Sequence, residues 1–256
     1  MRNVWVICRK ELHSYFVSWI AYLLLAMFAL IFGYFFWTLL GYFVFEGIEM
    51  QMRGQSFPMN INEQIVRPLF SNVSVIALLV IIPLISMRLF AEEKRTGTIE
   101  LLVTSPIRDL EIIIGKWLAA LMLYASLLLF TGLNFIFLFA YGKPDWKPML
   151  IGYLGLILQA GALLALGTFI STLTKNQIIA GTVTFAVCLL LYICGWVSGF
   201  EMAPWAKVLS YISVATHAES FAKGVIETKD AVFYLTVIFL GLFFTARSME
   251  SLRWRS

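Results

Sequence analysis

Charge is absent from long stretches of this 256-residue chain, and that spacing limits the available folds more than any other feature. A helix needs about 20 mainly apolar residues to cross a ~30 Å hydrocarbon layer. Six intervals between consecutive Asp, Glu, Lys or Arg residues meet or approach that length. Glu11 to Glu46 encloses 34 residues, Arg67 to Arg88 encloses 20, and Lys116 to Lys143 encloses 26. Lys147 to Lys175 encloses 27, Lys175 to Glu201 encloses 25, and Asp230 to Arg247 encloses 16. Only 13% of the residues are charged, against about a quarter in a soluble domain. Composition therefore excludes a water-soluble enzyme, a disordered chain, a collagen and a disulfide scaffold.

The first interval is too long for one crossing, because a 34-residue helix would run about 51 Å. Trp19 and Trp37 are spaced to sit in two interfacial belts, which places the first span at about 20–42. The other spans read as 68–90, 116–141, 148–173, 177–199 and 228–247. Ahead of them, Val4, Trp5, Cys8, Leu12, Tyr15, Phe16 and Trp19 recur at helical spacing, while Arg2, Arg9, Lys10 and His13 fall elsewhere on the wheel. Residues 1–18 thus read as an amphipathic helix on the membrane surface. With the N-terminus inside, inner segments hold 12 Lys and Arg and outer segments hold 7. That bias predicts cytoplasmic termini.

Several chemistries have no support. No Asp, Glu, Lys or Arg interrupts the runs, which argues against a proton- or sodium-coupled carrier. There is no phosphate loop, since Gly115-Lys116 lacks the upstream glycine. His13, His217, Cys8, Cys188 and Cys194 lack metal-ligand spacing and read as packing residues, so no metal is expected. Intramembrane hydrolysis has no nucleophile elbow or paired-histidine motif. No face carries the Lys/Arg density that nucleic acid would require.

Charge returns between spans two and three. Residues 88–116 carry 10 of the 34 formal charges, five of each sign. Such balance suits a solvated folded segment. Gly97 can end the extension of span two, and Thr98 can cap a short helix through Leu102 that stops before Pro106. Ile99, Leu101 and Leu102 beside Glu100 would either dock a partner or pack on the inner ends of the spans.

The run from Phe90 to Pro106, Phe-Ala-Glu-Glu-Lys-Arg-Thr-Gly-Thr-Ile-Glu-Leu-Leu-Val-Thr-Ser-Pro, followed by Gly115-Lys116, resembles the signature of type-2 ABC exporter permeases. More narrowly it is similar to the gliding-motility-type subfamily. Tyr15 to Tyr22, Ser171 to Ile178 and His217 to Asp230 agree in order along nearly the whole chain. Trp19 departs from the pattern, since many members have proline after the serine.

The resemblance implies an all-α polytopic membrane protein with six spans, an N-terminal surface helix, a cytoplasmic coupling helix in 91–115, and a re-entrant outer segment in 201–227. It implies a permease subunit that is not itself an enzyme and binds no cofactor. ATP and Mg would belong to a separate ABC ATPase, present in two copies, and a second permease would complete a homodimer or paralogous heterodimer. Glu93, Arg95, Thr96, Gly97, Thr98, Glu100, Leu101 and Leu102 would lie at the coupling site, with Lys175, Asn176 and Gln177 in the smaller inner loop. The expected location is the bacterial cytoplasmic membrane.

Before the last span, Trp205, Val208, Leu209, Tyr211, Ile212, Val214, Phe221, Val225 and Ile226 make 201–230 too apolar for a free loop. His217, Glu219 and Lys223 there read as either an outer gate or interfacial anchors. The leading function is export driven by a partner ATPase. The alternatives are a channel or secondary carrier working without one, or a scaffold or intramembrane enzyme.

Overall fold

The structure, a computed structural model, describes residues 2–54, 60–99, 107–142, 144–199 and 204–253. Among them it contains helices and no strand. Helix α1 spans Arg2–Val17 and α2 spans Trp19–Met52, separated at Ser18, whose extended backbone breaks the helix and whose hydroxyl accepts from the Ile20 amide. Next come α3 (Asn62–Thr96), α4 (Asp109–Tyr141), α5 (Trp146–Leu173) and α6 (Gln177–Ile193). Two short helices, α7 (Pro204–Ile212) and α8 (Val214–Ala222), precede α9 (Thr228–Arg253). Six of these, α2 to α6 and α9, are long and apolar enough to cross a membrane.

Helix α3 is irregular for a legible reason. Two π turns, Asn62–Val66 and Ala77–Ile81, end just before Pro68 and Pro83. Proline cannot donate to the carbonyl four residues back. The helix instead closes wider rings there, from the Arg67 amide to Asn62 and from the Ile82 amide to Ala77.

An aromatic cluster fixes how four helices meet. Phe28, Phe32 and Phe36 follow one face of α2 and are buried. Phe28 lies 6.4 Å from Tyr124, and Phe32 lies 6.0 Å from Phe135 of α4. Phe135 in turn stacks on Phe70 of α3 at 5.9 Å and meets Tyr153 of α5 edge-on at 5.8 Å. The Tyr153 hydroxyl is satisfied by Thr131 at 2.8 Å, so this phenol brings no orphaned polar group into the core. A deeper polar pair is satisfied too: Ser74 donates to Gln159 at 2.7 Å, and the Gln159 amide returns a bond to the Ser74 carbonyl.

Helix α5 is the central element, contacted by α3, α4, α6, α8 and α9. Close approach of backbones is the membrane form of tight packing, because lipid tails supply no hydrophobic drive between helices. Along α9, Gly241 lies so near that a Cβ there would stand 2.8 Å from the Ala165 carbonyl carbon. Gly132 of α4, by contrast, faces open space. Gly241→Ala should therefore cost about 1–3 kcal/mol by forcing two backbones apart, whereas Gly132→Ala should be neutral or slightly stabilising. Thermal melting of the detergent-solubilised chain checks both; equal melting temperatures for the two variants would refute the close-packing account.

Candidate functional site

One end of the bundle collects the charged segment that follows α3. A turn at 87–90 leads into the helical stretch Ala91–Thr96. Its first amides have no helical partner, and Ser171 at the end of α5 supplies one: its hydroxyl accepts from the amides of Phe90 at 3.1 Å and Ala91 at 3.0 Å. Lys94 donates to the Thr172 carbonyl, and the Thr172 hydroxyl bonds Ser248 of α9 at 2.8 Å. The stretch is thereby tied to α5 and, through it, to α9.

Its other side is held by a buried cation. The Lys116 ammonium pairs with Glu93 at 2.8 Å and Glu11 at 3.1 Å, and lies 5.4 Å from the centre of the Phe90 ring. The three side chains are 3%, 16% and 18% exposed, for Lys116, Glu93 and Glu11 in that order. Thus α1, α3 and α4 share one charge cluster. Helix α1 packs along the start of α4 because Gly115 has no side chain to hold Ile7 and Val4 away. Asn3 adds a hydrogen bond to Glu111 at 3.0 Å. Burial pushes the Tyr15 phenol well above its ordinary range, and the neighbouring Glu11 carboxylate adds to the shift.

The stretch ends at Gly97, whose φ of 75° places it in the left-handed region. Thr96 folds back on the Glu92 carbonyl at 3.0 Å and meets the Thr98 hydroxyl at 3.0 Å. Arg95, Thr96, Gly97 and Thr98 are exposed, and Ile99 packs against the core. Beside them, between α5 and α6, Lys175 and Asn176 are exposed and Gln177 is half-buried; the Asn176 side chain caps α6 by accepting from the Ile178 amide at 2.9 Å. Burial, and after it the nearby Lys175 charge, hold the Lys94 ammonium below its usual range.

Of the residues singled out in the sequence, Arg95, Thr96, Gly97, Thr98, Lys175 and Asn176 present an accessible surface at this end. Glu93 turns inward to Lys116. Glu100, Leu101 and Leu102 lie outside the described residues, as does most of the short helix expected through Leu102. Sequence reasoning missed Lys116, Ser171 and Glu11 as partners of this segment. The available signal was Glu11, a lone carboxylate on the apolar face of α1, which calls for a buried cation.

At the opposite end, Glu219 and Lys223 come together, and His217 stands apart from them. Glu219 accepts from Lys223 at 2.8 Å and from Arg67 of α3 at 3.1 Å. The Lys223 hydrogen bond, then Arg67, holds its carboxyl below the usual carboxylate range. This bridge between α3 and α8 is present above the ordinary carboxylate range and is lost as pH falls through the lowered value. A cleft of about 230 Å³ lies beside it, lined by Asn60, Glu63, Arg67, Asp145 and Lys223. His217 instead pairs with Asp230 at 2.6 Å.

Six apolar helices, the central α5 among them, with charge gathered at the two ends, define a multi-pass helical membrane protein. The family model described as ABC-2 family transporter protein matches residues 5–246, and the chain belongs to that family, whose members are membrane subunits of ABC transporters. It is also similar to the probable multidrug ABC transporter permease YbhR of Escherichia coli K12, with 30% identity over 147 residues. The counterpart in Escherichia coli O157:H7 matches equally. The match covers 55% of this chain and 38% of the relative, so the chain spans well under half the length of these curated relatives.

Lys116 offers a direct test of the cluster. Lys116→Met leaves two carboxylates facing each other without their cation and should destabilise the fold by about 3–5 kcal/mol. Adding Glu11→Gln and Glu93→Gln should restore most of the loss. Thermal melting of the single and triple variants measures this; no recovery in the triple variant would mean that Lys116 acts through its own packing alone.

Proposed function

We propose that this chain is the permease subunit of an ABC exporter and that residues 91–115 form its contact with a separate ATPase. The observation that carries this reading is the anchoring of the exposed Arg95–Thr98 surface. Ser171 and Lys94 bond it to α5, and the Glu93 pair with Lys116 bonds it to α1 and α4. A surface pushed by a partner transmits force only if it cannot slide over the body beneath it.

In this reading the end bearing both termini faces the cytoplasm of a bacterial cell. Two ATPase copies, carrying ATP and Mg, act on two permeases, either identical or paralogous. Arg95, Thr96, Gly97 and Thr98, together with Glu100, Leu101 and Leu102, make the coupling surface, and Lys175, Asn176 and Gln177 flank it. Glu93 serves as its inward anchor. Residues 1–18 lie on the membrane surface, 201–227 form the outer re-entrant segment, and the chain belongs with the gliding-motility-type permeases. The chemistry of ATP hydrolysis stays on the partner, since this sequence has no phosphate loop.

Charge reversal at exposed positions separates contact from folding. The double variant Arg95→Glu, Lys175→Glu should melt like the parent chain. It should nevertheless capture the cognate ATPase at least tenfold less well, because like charges brought face to face across an interface cost several kcal/mol and each ~1.4 kcal/mol is a factor of ten. Gly97→Val, which strains a left-handed residue, should assemble yet fail to raise ATP turnover in the complex. Purification of an active transporter without any ATP-binding subunit, with flux driven by an ion gradient in liposomes, would instead establish a channel or secondary carrier.

A further inference from the structure

The end of the bundle away from the termini holds a buried pair of titratable groups that the coupling mechanism does not use. His217 of α8 is 4% exposed and Asp230 of α9 is 1% exposed. The His217 Nδ1 lies 2.6 Å from Asp230 Oδ1, and its Nε2 lies 2.8 Å from the Tyr211 carbonyl oxygen at the end of α7. Three helices thus meet on one imidazole.

Those two lines need more hydrogens than a neutral imidazole holds. The Tyr211 carbonyl can only accept, so Nε2 must carry a hydrogen. The carboxylate oxygen is also an acceptor when ionised, so the Nδ1 line needs a hydrogen as well. A neutral imidazole has one N–H. Whichever nitrogen keeps it, the other line sets a lone pair against an oxygen lone pair at 2.6 or 2.8 Å. The arrangement is complete only when one extra proton is bound.

An aromatic ring covers the imidazole. Phe233 stacks on His217 with centroids 4.0 Å apart and planes at 19°, presenting an electron-rich face to it. Asp230 Oδ2 is buried with no partner among the described residues, where His217 makes the hydrogen bond to the other oxygen. On α7, α8 and the approach to α9, Lys207 is exposed, Glu227 pairs with Lys229 at 2.6 Å, and Glu219 pairs with Lys223 and Arg67. The titratable phenols beside the ring are Tyr211, edge-on at 5.3 Å, and Tyr234, whose hydroxyl donates to the Val214 carbonyl at 3.1 Å.

We propose that His217 and Asp230 form a proton-binding site, and that the bound proton latches α7 and α8 onto the start of α9. Release of that proton to bulk water leaves one of the two hydrogen bonds unmade and frees the small helices from α9. Uptake of a second proton, on Asp230, removes the carboxylate that the imidazolium faces. The latch is therefore closed in a window of pH and opens on both sides of it. The site shares no residue with the coupling surface, so its failure would leave that surface untouched.

The chain has two histidines, which makes the site observable. With 15N-labelled histidine and the His13→Gln variant in nanodiscs, His217 gives the only imidazole signals. At pH 7 both of its nitrogens should carry hydrogen. Amide exchange in 204–222, corrected for intrinsic rate, should be slow there. It should accelerate about 10- to 100-fold once the pH is raised far enough to remove one N–H, the factor expected for losing a charge-assisted hydrogen bond. Asp230→Asn should show the faster exchange across the whole range. A single N–H on His217 at pH 7, or protection of 204–222 that ignores pH in the unmutated pair, overturns the proposal. The second measurement decides the question even if Asp230→Asn does not fold.

Discussion

Close contact along helix α5 is the constraint on which the rest of the bundle depends. Its neighbours come near enough that a methyl group at Gly152, Gly155 or Gly167 would overlap Phe70, Phe221 or Ser86 respectively. Apolar area gives little reason for two helices to associate in lipid, where the tails are as apolar as leucine. Contact distance and hydrogen bonding must supply the preference instead. Here both act together: the Ser74–Gln159 pair bonds α3 to α5 between the levels of Gly155 and Gly167, and Trp117 of α4 donates to the Gly161 carbonyl at 2.9 Å. The central helix is thus specified by what its side chains omit as much as by what they add.

The two polar ends solve different problems with the same rule. A buried charge is tolerable only when paired and hydrogen-bonded. At the end with the termini, Lys116 answers two carboxylates from separate helices, so each of three elements supplies a group that the others need. At the far end, His217 answers a carboxylate and a carbonyl from separate helices. The first arrangement uses an ammonium, a group whose ordinary titration lies far above neutrality. The second uses an imidazole, whose charge is conditional. Permanence suits an anchor, and conditionality suits a latch.

Much of this architecture was legible in the sequence, and its limits follow from physics. The six long helices could be read because charge removal over a crossing length is a one-dimensional pattern. The exposure of Arg95, Thr96, Gly97 and Thr98 was also readable, since a balanced charged run after an apolar helix belongs in water. What could not be read was pairing across the chain. Glu93 and Lys116 are separated by 23 positions and both counted as loop charges until the fold turned them toward each other. Asp230 appears in the sequence only as the charge that bounds the last apolar interval, because nothing local distinguishes a carboxylate in a first turn from one aimed at a histidine. Even the irregular course of α3 was half visible: the prolines predict a kink, but the π turns that absorb it depend on the surrounding packing.

Helix α5 also makes the two ends part of one object. At one terminus Ser171 and Thr172 hold the segment after α3. Near the other, Gly155 receives Phe221 of α8, and Pro148 lies against Gly224. The helix between them is unbroken for 28 residues, or about 42 Å at 1.5 Å per residue. A straight helix is stiff along its axis, so an axial displacement imposed at Ser171 arrives at Gly155 with no hinge in α5 to absorb it. Phe221 shares α8 with His217, four positions away and so on the same helical face. A push on the anchored segment therefore reaches the helix that carries the His217–Asp230 pair through a single rigid element. Whether that push moves α8 then depends on how firmly α8 is fastened to α9, which is the contact that the imidazole makes.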